Sequence, residues 1–264
     1  MNAISLYFRY LSVTLRGKME YKWSFLMMAL GSFAIAVGEV AAIWVMFSRF
    51  GSLRGWTLPQ VAFFYGGVNI CIALAETIFR GFDLFSHLIR KGDFDRLLLR
   101  PRSTILQVAG QDVSPTHIGK VAQGLIVLLW AASRLHVAWT PAKAALAVAG
   151  IGGGVCVFAG LFVLQATMCF WTIESLELMN ILTYGGSEAA QYPLSIYRPW
   201  LRNLFTWLVP LACIAYVPSA AIFARPGAIV PLLSWLSPLA GVVFLALSLR
   251  VWRIGVRHYC STGT

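Results

Sequence analysis

The chain has 264 residues, is 59% hydrophobic and only 12% charged, with mean hydropathy +0.74 and a formal net charge of +11. Soluble domains of this size are about 45–50% apolar and about 25% charged, so the composition excludes a water-soluble protein and points to one dissolved mostly in lipid. No polar block is long enough to fold alone, which leaves a single membrane domain.

In residues 1–22, Ile4, Tyr7, Leu11 and Leu15 recur at helical spacing while Arg9, Arg16 and Lys18 lie elsewhere on the wheel. The pattern predicts an amphipathic helix in the cytoplasmic interface, with a frayed basic tail as the alternative. The apolar run 23–47 is longer than the roughly 7–15 residues of a signal-peptide core, so it is expected to remain as the first span.

Crossing a bilayer takes about 20 mainly apolar residues. Segments near 23–47, 59–79, 117–135, 143–171, 202–218 and 236–254 approach that length, which predicts an all-α integral membrane domain over 23–258 with six transmembrane helices. Pro210, Pro218, Pro226, Pro231 and Pro238 interrupt the later segments, and 218–237 reads as a short re-entrant hairpin before the last helix. Residues 259–264 form a tail. With the N-terminus inside, sixteen of the 21 basic residues fall on the cytoplasmic side, which places both termini there. Basic residues spread over every boundary suit anionic headgroups and argue against nucleic-acid binding.

The loop 80–103 contains KGDFDRLLLRP (91–101), a concentration of charge in a chain with little. Asp93 can cap a short helix by accepting first-turn N–H groups, and Pro101 should stop it. Phe94, Leu97 and Leu98 then share one face, with Asp95, Arg96 and Arg100 around the rest. Such a helix suits docking on a soluble partner; a solvated loop resting its apolar side on lipid fits the same pattern.

Two carboxylates fall inside spans. Glu76 precedes Arg80 by four residues, which predicts an ion pair along the helix. Glu39 has no obvious basic partner, and because a carboxylate facing lipid is costly it is expected to face another helix or the transport path. Cys71, Cys156, Cys169, Cys213 and Cys260 show no metal or disulfide spacing and read as free thiols. Gly150/Gly154, Gly152/Cys156/Gly160, Ala34/Gly38/Ala42 and Ala62/Gly66 follow the small-xxx-small spacing that lets helices approach closely.

KGDFDRLLLRP, FWTIESLELMN (170–180) and YPLSIYRPWLRNLFTWLVPLACIAYVPSAAIFAR (192–225), in that order on a six-span plan, resemble an ABC-2 type transporter permease subunit of the six-span branch formerly catalogued as a domain of unknown function. The resemblance covers nearly the whole chain. It implies a permease in a bacterial inner membrane that dimerises with itself or a paralogue, works with two separate ABC ATPase subunits, and exports an amphipathic or lipid-like substrate. It makes the helix of 91–101 a coupling helix, with Asp93, Phe94, Asp95, Arg96, Leu97 and Arg100 as ATPase contacts. A translocation path is then expected along Phe33, Glu39, Trp44, Phe63, Phe64, Tyr65, Phe205 and Trp207.

Catalytic chemistry is not expected in this chain. Gly17-Lys18 is followed by Met19 and Gly119-Lys120 by Val121, so neither completes GxxxxGK[ST], and ATP and Mg²⁺ are expected on the partner ATPase. Ser187 falls in a loop and His87, His117, His136 and His258 lie near span ends or in loops, with no HExxH, so an intramembrane protease finds no constellation. An ion-coupled secondary transporter or channel is the alternative, for which Glu39 and Glu76 are the available ionisable sites.

Overall fold

The computed structural model describes residues 22–112, 116–172, 179–214, 216–223 and 231–260, with Tyr7, Ser12, Val13, Arg16 and Gly17 of the leading segment. Most of the expected interfacial helix, part of FWTIESLELMN, residues 224–230 of the expected hairpin and 261–264 lie outside them. The described chain is helical apart from its connections and one isolated bridge, Leu53 to Trp56.

The long helices are α1 (Lys22–Phe50), α2 (Leu58–Asp83), α6 (Thr116–Arg134), α7 (Pro141–Met168) and α11 (Pro231–His258). Between α2 and α6 lie three single-turn pieces, α3 (Phe85–Arg90), α4 (Asp93–Leu98) and α5 (Thr104–Ala109). Between α7 and α11 the chain breaks into short pieces that include α8 (Gly186–Ala190), α9 (Pro199–Asn203) and α10 (Tyr216–Ile222).

Local chemistry sets the starts. At α2 the amide of Thr57 donates to Oε1 of Gln60 in a capping box, with proline inside the first turn. At α7, Thr140 Oγ1 accepts from the Lys143 amide at 3.3 Å and Pro141 supplies the first helical φ. The turn before α2 uses left-handed backbone at Gly51 (φ 69°), Arg54 (φ 47°) and Gly55 (φ 77°).

Four helical stretches are long and apolar enough to cross a membrane: Leu26–Phe50, Leu58–Arg90, Pro141–Met168 and Leu233–His258. A fifth arises if Pro199–Leu208 and Leu211–Ile222, bent 78° to each other, make one span. The segment expected as span three is the 19-residue α6, made more polar by His117, Lys120 and Gln123.

Helix α7 is the axis of the bundle, packed along α11 and α2, while α2 also packs along α6. Glycine permits the closest approaches. A Cβ on Gly66 would meet the Gly124 carbonyl at 2.8 Å, and one on Gly153 would meet the Pro238 carbonyl at 2.7 Å. Helix α1 is different: Ala36, Ile43 and Phe47 form its buried stripe and most of the rest is exposed. Gly31 and Gly38 have open space where a side chain would stand.

The path of residues 179–198 departs from the expected plan. The Tyr184 hydroxyl donates to Asp83 Oδ2 (3.3 Å) at the end of α2, whereas Ser195 Oγ accepts from Trp56 Nε1 (3.1 Å) just before its start. Between these contacts the chain runs along the bundle from one end to the other. Arg198 therefore shares an end with Arg54, whereas the loop reading grouped it with Arg80 and Arg90. The prolines and polar residues of this stretch hid its course.

Candidate functional site

Three groups of residues stand out, at successive depths along α2. The first is a donor chain near mid-bundle. Gln123 Nε2 of α6 donates to the Tyr65 hydroxyl (3.0 Å), and that hydroxyl donates to Glu39 Oε2 of α1 (2.7 Å). Tyr65 is 1% exposed and Gln123 4%, whereas Glu39 is exposed on the surface of the chain. Tyr65 and Gln123 also line a cavity of about 500 Å³ between α1, α2 and α6, whose other walls are apolar, with Phe33, Val37, Trp44, Ala62 and Trp130 among them.

The second group is an ionic lattice toward the far end of α2. Glu76 Oε2 lies 2.7 Å from His117 Nδ1 and 3.3 Å from Lys120 Nζ, both on α6. The predicted Glu76–Arg80 pair does not form, because Arg80 turns one turn on to Asp83 (2.7 Å). Asp83 also accepts from Tyr184 and from Gln165 Nε2 (3.4 Å), which in turn donates to Asn180 (3.2 Å). One carboxylate thus ties α2 to α7 and to the segment that follows it.

The third group is the mount of α4. Gly92, in the left-handed region (φ 68°), turns the chain between α3 and α4 and takes the cap position expected for Asp93. Asp93 sits in the first turn instead, where its charge suits the helix dipole, and lies 3.6 Å from Arg96. Phe94 is fully buried in an aromatic box, 5.0 Å from Phe85, 5.1 Å from Tyr259 and 5.6 Å from Phe170 between ring centroids. Trp252 of α11 closes the box, 4.9 Å from Phe85, and its indole N–H donates to Thr104 Oγ1 (3.3 Å). Behind α4, Gln107 Nε2 donates to the carbonyls of Leu97 (3.2 Å) and Arg102 (3.0 Å).

The sequence-predicted residues divide accordingly. On α4, Phe94 and Leu97 face the chain's own core, while Arg96 and, two residues past the helix, Arg100 are exposed and Asp93 and Asp95 half-buried. Leu98, grouped by spacing with Phe94 and Leu97, is exposed, as is Leu99 at 85%. Of the path residues, Phe33, Trp44 and Tyr65 meet at the cavity, with Glu39 beside them. Phe63 and Phe64 instead pack edge-on against Phe223, with Phe64 also against Trp56. Phe205 is buried beside Gly186, and Trp207 is 84% exposed. Sequence reasoning missed Gln123, His117, Gln165 and Trp252; a glutamine inside an apolar run was the one local signal available for the first.

Long apolar helices joined by buried polar and ionic ties define a multi-pass helical membrane protein. A model of the ABC-2 family transporter proteins matches residues 33–263, and the chain belongs to that family. No curated protein and no solved structure matches it significantly. It is thus a membrane permease, a transport component and not itself a catalyst, of a family that works with ATPase subunits.

Proposed function

We propose that the chain is the transmembrane subunit of an ATP-driven exporter for an amphipathic or lipid-like substrate. It pairs with a second permease, identical or paralogous, and carries two ABC ATPase subunits, which bind the ATP and Mg²⁺. In this reading α4 is the coupling helix, presenting Arg96, Leu98, Leu99 and Arg100 to the ATPase with Asp93 and Asp95 at the edge, while Phe94 and Leu97 anchor it. The protein lies in a bacterial inner membrane with both termini cytoplasmic. Six crossings follow if α6 is one and residues 179–198 another, with 199–222 dipping back as a re-entrant pair.

The observation that carries the reading, beside the family, is the mount of α4. A short charged helix is fixed by Phe94 to Phe85, Phe170 and Trp252, and therefore to the ends of α2, α7 and α11. A push on its exposed side passes to three long helices, so the nucleotide state of a docked ATPase can favour one arrangement of the spans over another.

The test is purification of the chain from its native membrane in mild detergent, with identification of co-purifying proteins and vanadate-sensitive ATP hydrolysis. An ATPase that co-purifies with the native chain and is lost from Arg96→Glu/Arg100→Glu supports the proposal. A chain that purifies alone, without ATPase activity, transfers the weight to the ion-coupled secondary transporter or channel.

A further inference from the structure

The apolar cavity and the carboxylate beside it fit one kind of occupant. Its walls come from three helices and are hydrocarbon except where Tyr65 and Gln123 reach it. The Tyr65 hydroxyl points to Glu39 at 2.7 Å, so the carboxylate lies just beyond the cavity wall. One oxygen of Glu39 accepts from Tyr65; among the described residues no basic side chain pairs with either. Lys120 is committed to Glu76. Glu188, on the segment that runs beside α2, is near enough to repel Glu39, with Lys120, already held by Glu76, offsetting part of its charge.

A carboxylate at this depth is costly without a counter-charge, and the donor chain from Gln123 through Tyr65 holds it in place without supplying one. We propose that this is a binding site for a cationic amphipath: an apolar body fills the cavity between α1, α2 and α6, and a single positive head group pairs with Glu39. The inference rests on the transport reading and narrows its substrate class. A neutral lipid tail would use the cavity and leave Glu39 unpaired. An anionic amphipath would meet repulsion from both Glu39 and Glu188. Tyr65 contributes a ring to the wall and a hydroxyl that orients the carboxylate, and is a positioning residue.

The experiment uses the full chain in zwitterionic nanodiscs and two probes of similar shape and opposite charge, tetraphenylphosphonium and tetraphenylborate, with saturable binding as the readout. The native chain should bind the phosphonium saturably and the borate not. Glu39→Gln should weaken phosphonium binding by about tenfold or more, the scale of one ion pair of intermediate exposure, and Glu39→Asp should retain part of it. Val37→Trp, which fills the cavity from α1, should abolish binding with Glu39 untouched, so the site remains testable even if the glutamine variant fails to fold. Equal saturable binding of both ions to the native chain, or phosphonium binding unchanged in folded Glu39→Gln or in Val37→Trp, overturns the proposal. Binding does not require the ATPase, so the two readings fail separately. Absent phosphonium binding with the ATPase still co-purifying overturns only the cationic site, and intact Glu39-dependent binding without an ATPase overturns only the ATP-driven reading.

Discussion

The ring of Phe94 stands 6.2 Å from that of Trp252 and nearly perpendicular to it, at 78°. This places the first turn of a six-residue helix against a residue 158 positions later, six residues before the end of α11. Phe94→Ala removes a fully buried ring from a crowded box and should cost about 3–5 kcal/mol. Arg96→Glu/Arg100→Glu changes exposed side chains, so its stability should shift within about 0.5 kcal/mol per site. Thermal unfolding in detergent measures both. If the arginine variant loses ATPase association without losing stability, docking and folding separate on opposite faces of α4; equal destabilisation by both would mean that the outer face is structural too.

Glu76 provides the second prediction. It is 2% exposed and faces His117 and Lys120 on another helix. Removing one member of a buried ionic cluster leaves the others uncompensated, at a typical cost of about 3–5 kcal/mol. Glu76→Ala should therefore lower the unfolding temperature strongly, and in double-mutant cycles it should couple to Lys120→Ala but not to Arg80→Ala, whose own loss strands Asp83 instead. Coupling of Glu76 to Arg80 and not to Lys120 would restore the simpler pair along α2 that the spacing suggested.

Much of the bundle was legible. Helices α1, α2 and α7 announce themselves by apolar length, and α4 by its acidic start and Pro101; α11 did so only in part, because Pro231 and Pro238 assigned its first residues to the expected hairpin, whereas the helix begins at Pro231 and runs through Pro238. The remainder depends on contacts between distant positions. Spacing puts Phe94, Leu97 and Leu98 on one broad face, but only the arrival of Phe170 and Trp252 decides that Phe94 and Leu97 go in and Leu98 stays out. Glu76 had an acceptable partner on its own helix, so nothing local pointed 41 residues ahead to His117. Residues 179–198, with Tyr184, Glu188 and Gln191, lack the apolar run by which a crossing is recognised.

The small residues make a third prediction, with opposite outcomes at two similar-looking motifs. A Cβ at Gly66 would stand 2.8 Å from backbone atoms of α6, whereas Gly38 has nothing within 4 Å. Gly66→Ala should separate α2 from α6 and destabilise the chain. Gly38→Ala should be neutral or add up to about 1 kcal/mol through helix propensity. If Gly38→Leu leaves the isolated chain stable but lowers its apparent size in nanodiscs, the open face of α1 is where the second permease sits. An unchanged assembly would move that interface elsewhere.

Tyr259 supplies a pH dependence. Its burial, with Asp95 beside the phenol, pushes the group up to about 12, whereas an unfolded tyrosine ionises near about 10. Between these values the folded chain holds a proton that the unfolded chain has released. The stabilisation is therefore fully present below about pH 10 and is lost as pH rises toward about 12. Unfolding temperatures at about pH 9 and about pH 11 should differ less in Tyr259→Phe than in the native chain. An equal drop in both would assign the alkaline sensitivity to other groups.

The course of residues 179–198 gives the last prediction, and it bears on how the chain is threaded. The contacts of Tyr184 with Asp83 and of Ser195 with Trp56 lie at opposite ends of α2, a helix about 38 Å long at 1.5 Å per residue. If α2 spans the bilayer, Ser195 and Arg198 emerge on the same side as Ser52, and the bent pair Pro199–Leu208 and Leu211–Ile222 enters and leaves from that side. In a background freed of native cysteines, Ser52→Cys and Arg198→Cys should both react with a membrane-impermeant maleimide on intact cells. Arg96→Cys should react only after permeabilisation. Arg198→Cys behaving like Arg96→Cys would mean that the segment does not cross. Residues 202–218 would then have to make the fifth span despite the bend at Pro210, with Arg198 returned to the side of the coupling helix.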